Sequence, residues 1–235
     1  MDAVATAVLS PILLLQAVRL RKSALRLPEA SGPRQGSLGN GSPLSILIVG
    51  DSSAAGVGAQ TQETALAGQL AQSLSPQYRV NWHLIARTGA TTPATLARLK
   101  EHDLPFADLC VVVLGVNDVT RGGSMSGWLQ NYTEVRSLLR QQTGAKRMYV
   151  CQVPPLGSFP LLPHPLRWLL GRRAIRFDAA LGLALRAETD TEYVPLPDAL
   201  NADDMAEDGF HPGPVIYAAW AKELARRILQ GQSNA

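Results

Sequence analysis

The segment ILIVGDSSAAGVG, residues 46–58, decides how the chain is read. Residues 46–50 are apolar enough for a strand buried on both faces. The chain then passes directly to an acid, two serines and a run of Ala and Gly. One reading is a tight turn. The other is a serine, Ser52, held out to a substrate. On the second reading Ala54, Ala55, Gly56 and Gly58 are small so that substrate and the loops carrying Gly89 and Asn117 can come close to Ser52. Close helix–strand packing would also use small residues, and the two can coexist.

On the C-terminal side of this segment, apolar runs alternate with helical patterns. The runs 44–50, 79–85, 108–115, 147–153 and 192–196 read as strands. Helices are expected over 61–73, 94–101, 128–142, 166–188 and 214–230, with Pro93 opening the second and Gly144 ending the third. Near-continuous apolar strands joined by helices predict an α/β fold with a five-stranded, mainly parallel sheet covered on both faces. The domain is expected over 44–232. Residues 28–43, rich in Gly, Ser and Pro, read as a linker, and 1–27 as an apolar N-terminal helix, anchored or docked.

Bulk properties exclude several classes. The 235 residues are 46% hydrophobic and 17% charged, as a globular chain should be. The formal charge of +3 is concentrated around Arg19, Arg21, Lys22 and Arg26 and around Arg167, Arg172, Arg173 and Arg176. That is too small and too local for a nucleic-acid surface, and no aromatic ladder accompanies it. Cys110 and Cys151 each lie in an apolar run and read as buried free thiols. No paired Cys/His spacing suggests a metal, and no cofactor is expected.

The N-terminal run AVATAVLSPILLLQAV, residues 3–18, is short for a spanning helix, which wants about 20 residues, and Pro11 interrupts it. The basic residues follow it, the reverse of a secretory signal. A docked or surface-associated helix ranks first, a short anchor second and a cleaved signal third, so 3–18 is a candidate membrane-surface contact. Cytoplasmic or inner-membrane-associated placement is expected, with a secreted or periplasmic location as the alternative.

In open α/β sheets ligands sit beyond the carboxyl ends of the strands. Four polar clusters fall there or before the last helix: Gly50-Asp51-Ser52-Ser53, Arg87-Thr88-Gly89-Ala90, Gly115-Val116-Asn117-Asp118 and Asp208-Gly209-Phe210-His211. Each alone is weak, and GxND is also a good turn. Together they fit one chemistry. A serine hydroxyl needs a base, the base needs an acid to hold its tautomer, and acyl transfer needs donors for an oxyanion. Ser52 is the nucleophile, His211 the base and Asp208 the acid. The Ser52 N–H, the Gly89 N–H and the Asn117 amide are the oxyanion donors. Asp51 is expected to brace its loop and Asp118 to orient Asn117 or cap the next segment.

These four blocks resemble the SGNH hydrolases, also called GDSL esterases and lipases. Ser52 matches the nucleophile of GDS, Gly89 the block-two glycine, Asn117 the GxND asparagine, and Asp208 with His211 the final DxxH. The resemblance covers about residues 44–229. It implies a flavodoxin-like three-layer α/β/α fold and metal-free hydrolysis of esters or thioesters. Ser53 departs from the apolar residue often found there and leaves Ser52 the preferred nucleophile.

The segment PPLGSFPLLPHPLRWLLGRR, residues 154–173, follows the fourth strand and offers an apolar wall or lid. Phe159, Leu162 and Trp168 are its candidate substrate contacts. The expected partner is a small-molecule ester with a lipid-like or short acyl group. Alternatives are a carbohydrate O-acetylesterase, an acyltransferase on the same site or, last, a non-catalytic binding protein. The oligomeric state is not legible.

Overall fold

The computed structural model describes residues 2–197 and 202–233. Its centre is a sheet of β1 (Gln35–Leu38), β2 (Ser42–Gly50), β3 (Tyr78–Ala86), β4 (Leu109–Val113), β5 (Arg147–Cys151) and β6 (Thr191–Val194). Their spatial order is β1-β3-β2-β4-β5-β6. β1 pairs antiparallel with β3, and the remaining pairs are parallel.

The composition of β2 explains its central place. Successive side chains of a strand point to opposite faces. Ile46 and Ile48 enter one core, Leu47 and Val49 the other, and all four are almost fully buried. Each such burial is worth roughly 1.5–3 kcal/mol against exposure. An alternating strand would leave one face without that gain. The first core is closed by α2 (Leu66–Leu74) and α7 (Pro214–Ser233). The second is closed by α3 (Thr92–Lys100), α5 (Met125–Thr143) and α6 (Leu166–Leu185). The result is three layers, helices over both faces of a mostly parallel sheet.

The chain winds from β2 to β3 on one side and returns to β4 on the other. That reversal leaves a crevice at the carboxyl ends of β2 and β4, where such folds place ligands. Gly50 and Val113 are register partners there, and the Asp51 N–H continues the ladder to the Val113 carbonyl at 3.1 Å.

The sheet has six strands rather than five. The extra strand, β1, comes from the segment read as linker. Its four residues, QGSL, are all exposed on the sheet edge, so no apolar alternation announces them. The helix expected from Thr61 begins at Leu66, because residues 61–65 form turns closed by the Thr64 side chain on the Thr61 carbonyl. A six-residue helix, α4 (Val116–Arg121), stands where GxND was read as a turn.

The N-terminal helix α1 (Asp2–Ser23) runs through Pro11 and lies against the start of α6. The Gln16 amide ties the two together. It donates to the His164 carbonyl at 2.5 Å and accepts the Leu166 N–H at 3.1 Å, taking up a donor that the first turn of α6 leaves unpaired. Leu13 is buried, whereas Val8, Ile12, Leu14, Leu15 and Val18 are exposed. Among the described residues no helix is long and apolar enough to cross a membrane. Cys110 and Cys151 are free and buried in different cores, and burial pushes each thiol up to about 12.

Candidate active site

Ser52 follows β2 by one residue and is 4% exposed. Of the two reasons expected for the small residues after it, packing is the one their contacts carry. Ala54 and Ala55 are fully buried in the first core. A Cβ on Gly56 would fall 2.6 Å from that of Ala65. A Cβ on Gly58, whose φ is +96°, would lie 2.3 Å from the Pro212 carbonyl oxygen. The small residues therefore serve packing and the approach of the His211 loop, not that of the Gly89 and Asn117 loops. The Tyr217 hydroxyl, from α7, clamps the same contact by donating to the Val57 carbonyl at 2.7 Å.

That approach brings Asp208, His211 and Ser52 into one line. His211 Nε2 lies 2.9 Å from Ser52 Oγ, and His211 Nδ1 lies 2.6 Å from Asp208 Oδ2. A carboxylate accepts, so the proton belongs on Nδ1 and the Nε2 lone pair faces the serine hydroxyl. The other carboxylate oxygen of Asp208 accepts the N–H groups of Phe210 and His211, each at 2.9 Å. Burial alone would raise the Asp208 pKa. The His211 ring and these two N–H groups outweigh it and hold the carboxyl below its ordinary value. The Phe210 ring packs between those of Phe159 and His211, with centroids 5.2 and 5.3 Å away.

Gly89 and Asn117 come to the same crevice. Gly89 has φ +75° in a turn closed by the Ala90 N–H on the Arg87 carbonyl at 3.1 Å, a conformation that favours glycine. Neither the Ser52 nor the Gly89 N–H is taken up by a hydrogen bond among the described residues. Asn117 lies in the first turn of α4. Its Nδ2 donates to the Ala90 carbonyl at 3.0 Å and to Asp51 Oδ2 at a longer 3.3 Å.

Three supporting groups, Thr92, Trp128 and Arg121, went unread in the sequence. Asp118 accepts the Thr92 N–H and hydroxyl, and Trp128 Nε1 donates to that hydroxyl at 3.0 Å. This lock fixes α4 against the start of α3, and so Asn117 against Gly89. Arg121, four residues beyond Asn117, donates to the Gly89 carbonyl at 2.7 Å. Only reading GxND as the start of a helix could have revealed it. Thr92 carries no signal of its own.

Asp51 braces its loop by accepting the Ser53 N–H at 3.0 Å as well as Asn117. Burial pushes its carboxyl up to about 7, with the Ser53 N–H as the largest opposing influence. A raised carboxyl pKa means the folded state binds more protons than the unfolded one between about 4 and 7, so this group erodes stability as pH rises through that window. The excess unfolding free energy of Asp51→Asn over wild type should therefore climb with pH there, by up to about 1.4 kcal/mol per pH unit. Denaturant titrations at several pH values measure that slope. A flat difference would contradict it.

The apolar candidates separate. Phe159 lines a cavity of about 20 Å³ with Ser53, Val116 and Phe210. Leu162 backs a groove of about 830 Å³ formed by Leu161, Leu166 and Phe210 with Leu20 of α1. Trp168 is not brought to the site. It lines another groove, shared with Pro11 and Leu14 of α1, with the Arg172 guanidinium 5.5 Å from its ring centroid. It sits in the first turn of α6, which aims it at the N-terminal helix. Among the described residues no group of acids, histidines and cysteines could hold a metal ion.

Comparison with known proteins bears on family and fold. The chain is 27% identical over 190 residues to a GDSL-like esterase of Mycobacterium tuberculosis. The match covers 76% of this chain and 60% of that protein's length. The structure of TesA superposes with a TM-score of 0.59 at 22% identity, covering 78% of this chain and 97% of TesA. The psychrotrophic esterase EstA of Pseudoalteromonas sp. gives 0.60 at 20%, covering 80% and 98%. A carbohydrate esterase family 2 enzyme of Corynascus gives 0.59 at 14%, covering 88% and 69%. These structures share the fold. The profile of GDSL-like lipases and acylhydrolases matches residues 48–219, a span that begins within β2 and ends within α7. The chain therefore belongs to the GDSL-like lipase/acylhydrolase family.

Proposed function

We propose that the chain cleaves acyl esters or thioesters through an acyl-enzyme on Ser52. The observation that carries this is the unbroken line Asp208–His211–Ser52, at 2.6 and 2.9 Å. Ser52 Oγ attacks the carbonyl carbon as its proton passes to His211 Nε2. Asp208 holds the Nδ1–H tautomer and stabilises the imidazolium that forms. The oxyanion takes the free N–H groups of Ser52 and Gly89. It also takes the Asn117 amide proton that makes the longer contact to Asp51. His211 returns the proton to the leaving alcohol or thiol, and water, activated the same way, frees the acid.

The acyl group fits the groove of Leu161, Leu166, Phe210 and Leu20, backed by Leu162, with Phe159 behind Phe210. This favours a lipid-like acyl chain. Narrowing that groove with Leu161→Trp should shift the preferred p-nitrophenyl ester to a shorter chain. It should lower kcat/KM for a ten-carbon acyl group about tenfold relative to a two-carbon one. An unchanged chain-length profile would place the acyl group elsewhere. Helix α1 walls this groove and still exposes Ile12, Leu14, Leu15 and Val18, with Arg19, Arg21 and Lys22 following. An apolar face with flanking cations suits a membrane surface, which supports an inner-membrane-associated cytoplasmic esterase.

The direct test is covalent. A fluorophosphonate should label the protein once, on the peptide carrying Ser52, in parallel with loss of p-nitrophenyl ester turnover. Labelling elsewhere, or turnover that survives labelling, would reject the mechanism.

A further inference from the structure

A separate cavity, of about 580 Å³, opens beside Gly89 at the ends of β2 and β3. It is lined by more polar and charged side chains than the acyl groove, and Arg121 stands between the two. Arg87, Arg98 and Arg121 line it, against one carboxylate, Glu101. Arg121 is engaged with the Gly89 carbonyl. The side chains of Arg87 and Arg98 have no hydrogen bond or ion pair among the described residues. Both are exposed and free to meet a ligand. Arg34, Arg136, Arg140, Arg226 and Arg227 each pair with a carboxylate. Glu101 borders the same cavity and pairs with neither Arg87 nor Arg98.

A second observation points the same way. Thr95 also lines this cavity, is 3% exposed, and its Oγ1 finds no hydrogen-bond partner among the described residues. Buried hydroxyls are normally satisfied, and this one is left over in the residue layer that forms the cavity wall. Two unpaired guanidinium forks lining one cavity are complementary to the oxygens of a phosphate or carboxylate.

We propose that this cavity binds an anionic group, a phosphate or carboxylate, on the leaving-group side of the substrate ester. This rests on the ester-hydrolase reading above. With the acyl chain in the apolar groove by Phe210, the alcohol or thiol portion lies toward Gly89 and the arginines. The enzyme then selects amphiphilic esters, apolar at the acyl end and anionic at the other.

The experiment compares three phenolic butyrates: phenyl butyrate, 4-butyryloxybenzoate and 4-butyryloxyphenyl phosphate. The readout is kcat/KM for each anionic ester divided by that for the neutral one, in wild type and in the double variant Arg87→Gln/Arg98→Gln. Intrinsic reactivity cancels when the ratio is compared between proteins. The ratio should fall about tenfold in the variant, and in wild type it should fall with added salt. A fall for both anions assigns a general anion site, and a fall for the phosphate alone assigns a phosphate site. A ratio unchanged by the double substitution overturns the subsite. Failure of wild type to cleave phenyl butyrate, or cleavage that persists in Ser52→Ala, is a separate outcome. It would remove the ester-hydrolase reading and the subsite with it.

Discussion

Ser52→Ala should lower kcat toward p-nitrophenyl butyrate by about 10⁴-fold or more while the fold stays intact. The substitution removes the attacking atom. What remains is whatever the oxyanion donors and the binding groove contribute to attack by water. The structural cost is small, because Ser52 Oγ contacts His211 Nε2 and carries no other hydrogen bond among the described residues. Circular dichroism and the melting temperature should match wild type. Turnover within tenfold of wild type by the purified variant would mean that Ser52 is not the nucleophile.

Asp208→Asn should lower kcat by roughly 10³–10⁴-fold. The asparagine oxygen can still accept the Phe210 and His211 N–H groups, so the loop survives. Its amide then faces His211 Nδ1 as a donor, which drives the imidazole proton to Nε2 and points it at Ser52. A base that already carries its proton cannot take another from the serine. A second readout follows from the carboxyl's depressed pKa. The stability Asp208 adds is present above its ordinary value, near 4, and disappears as pH falls through the lower folded value. The stability gap between wild type and Asp208→Asn should therefore shrink on acidification below about pH 4. Normal kcat in this variant would show that His211 needs no orienting acid.

The parts of the fold and site legible in the sequence share a physical cause: each is forced on residue type by something local. Ile46–Val49 must be apolar because both faces are covered. Gly89 must be small because of its backbone conformation, and Asp208 and His211 can meet because a short turn spans them. The parts that were not legible depend on contacts made across the fold. β1 is exposed and polar, and becomes a strand because β3 offers an edge. α4 is too short to show periodicity, and the Asp118–Thr92–Trp128 lock joins three separate segments. Trp168 was misplaced for the complementary reason. It lies near a strand end in sequence, but α6 turns it toward α1, which no local pattern records.

The nucleophile precedes its base by 159 residues, and the His211 loop rests on Gly58 immediately before α7. The order has a consequence for timing. During synthesis Ser52, Gly89 and Asn117 all emerge well before His211, so a growing chain holds an unactivated hydroxyl. The residues that complete the first core, Tyr217, Trp220 and Leu224, follow the base directly. Closure of the first core and delivery of the base thus depend on the same stretch of chain. By the same coupling, any partial opening that lifts α7 withdraws the base, which makes ester turnover a sensitive reporter of whether the C-terminal helix is seated.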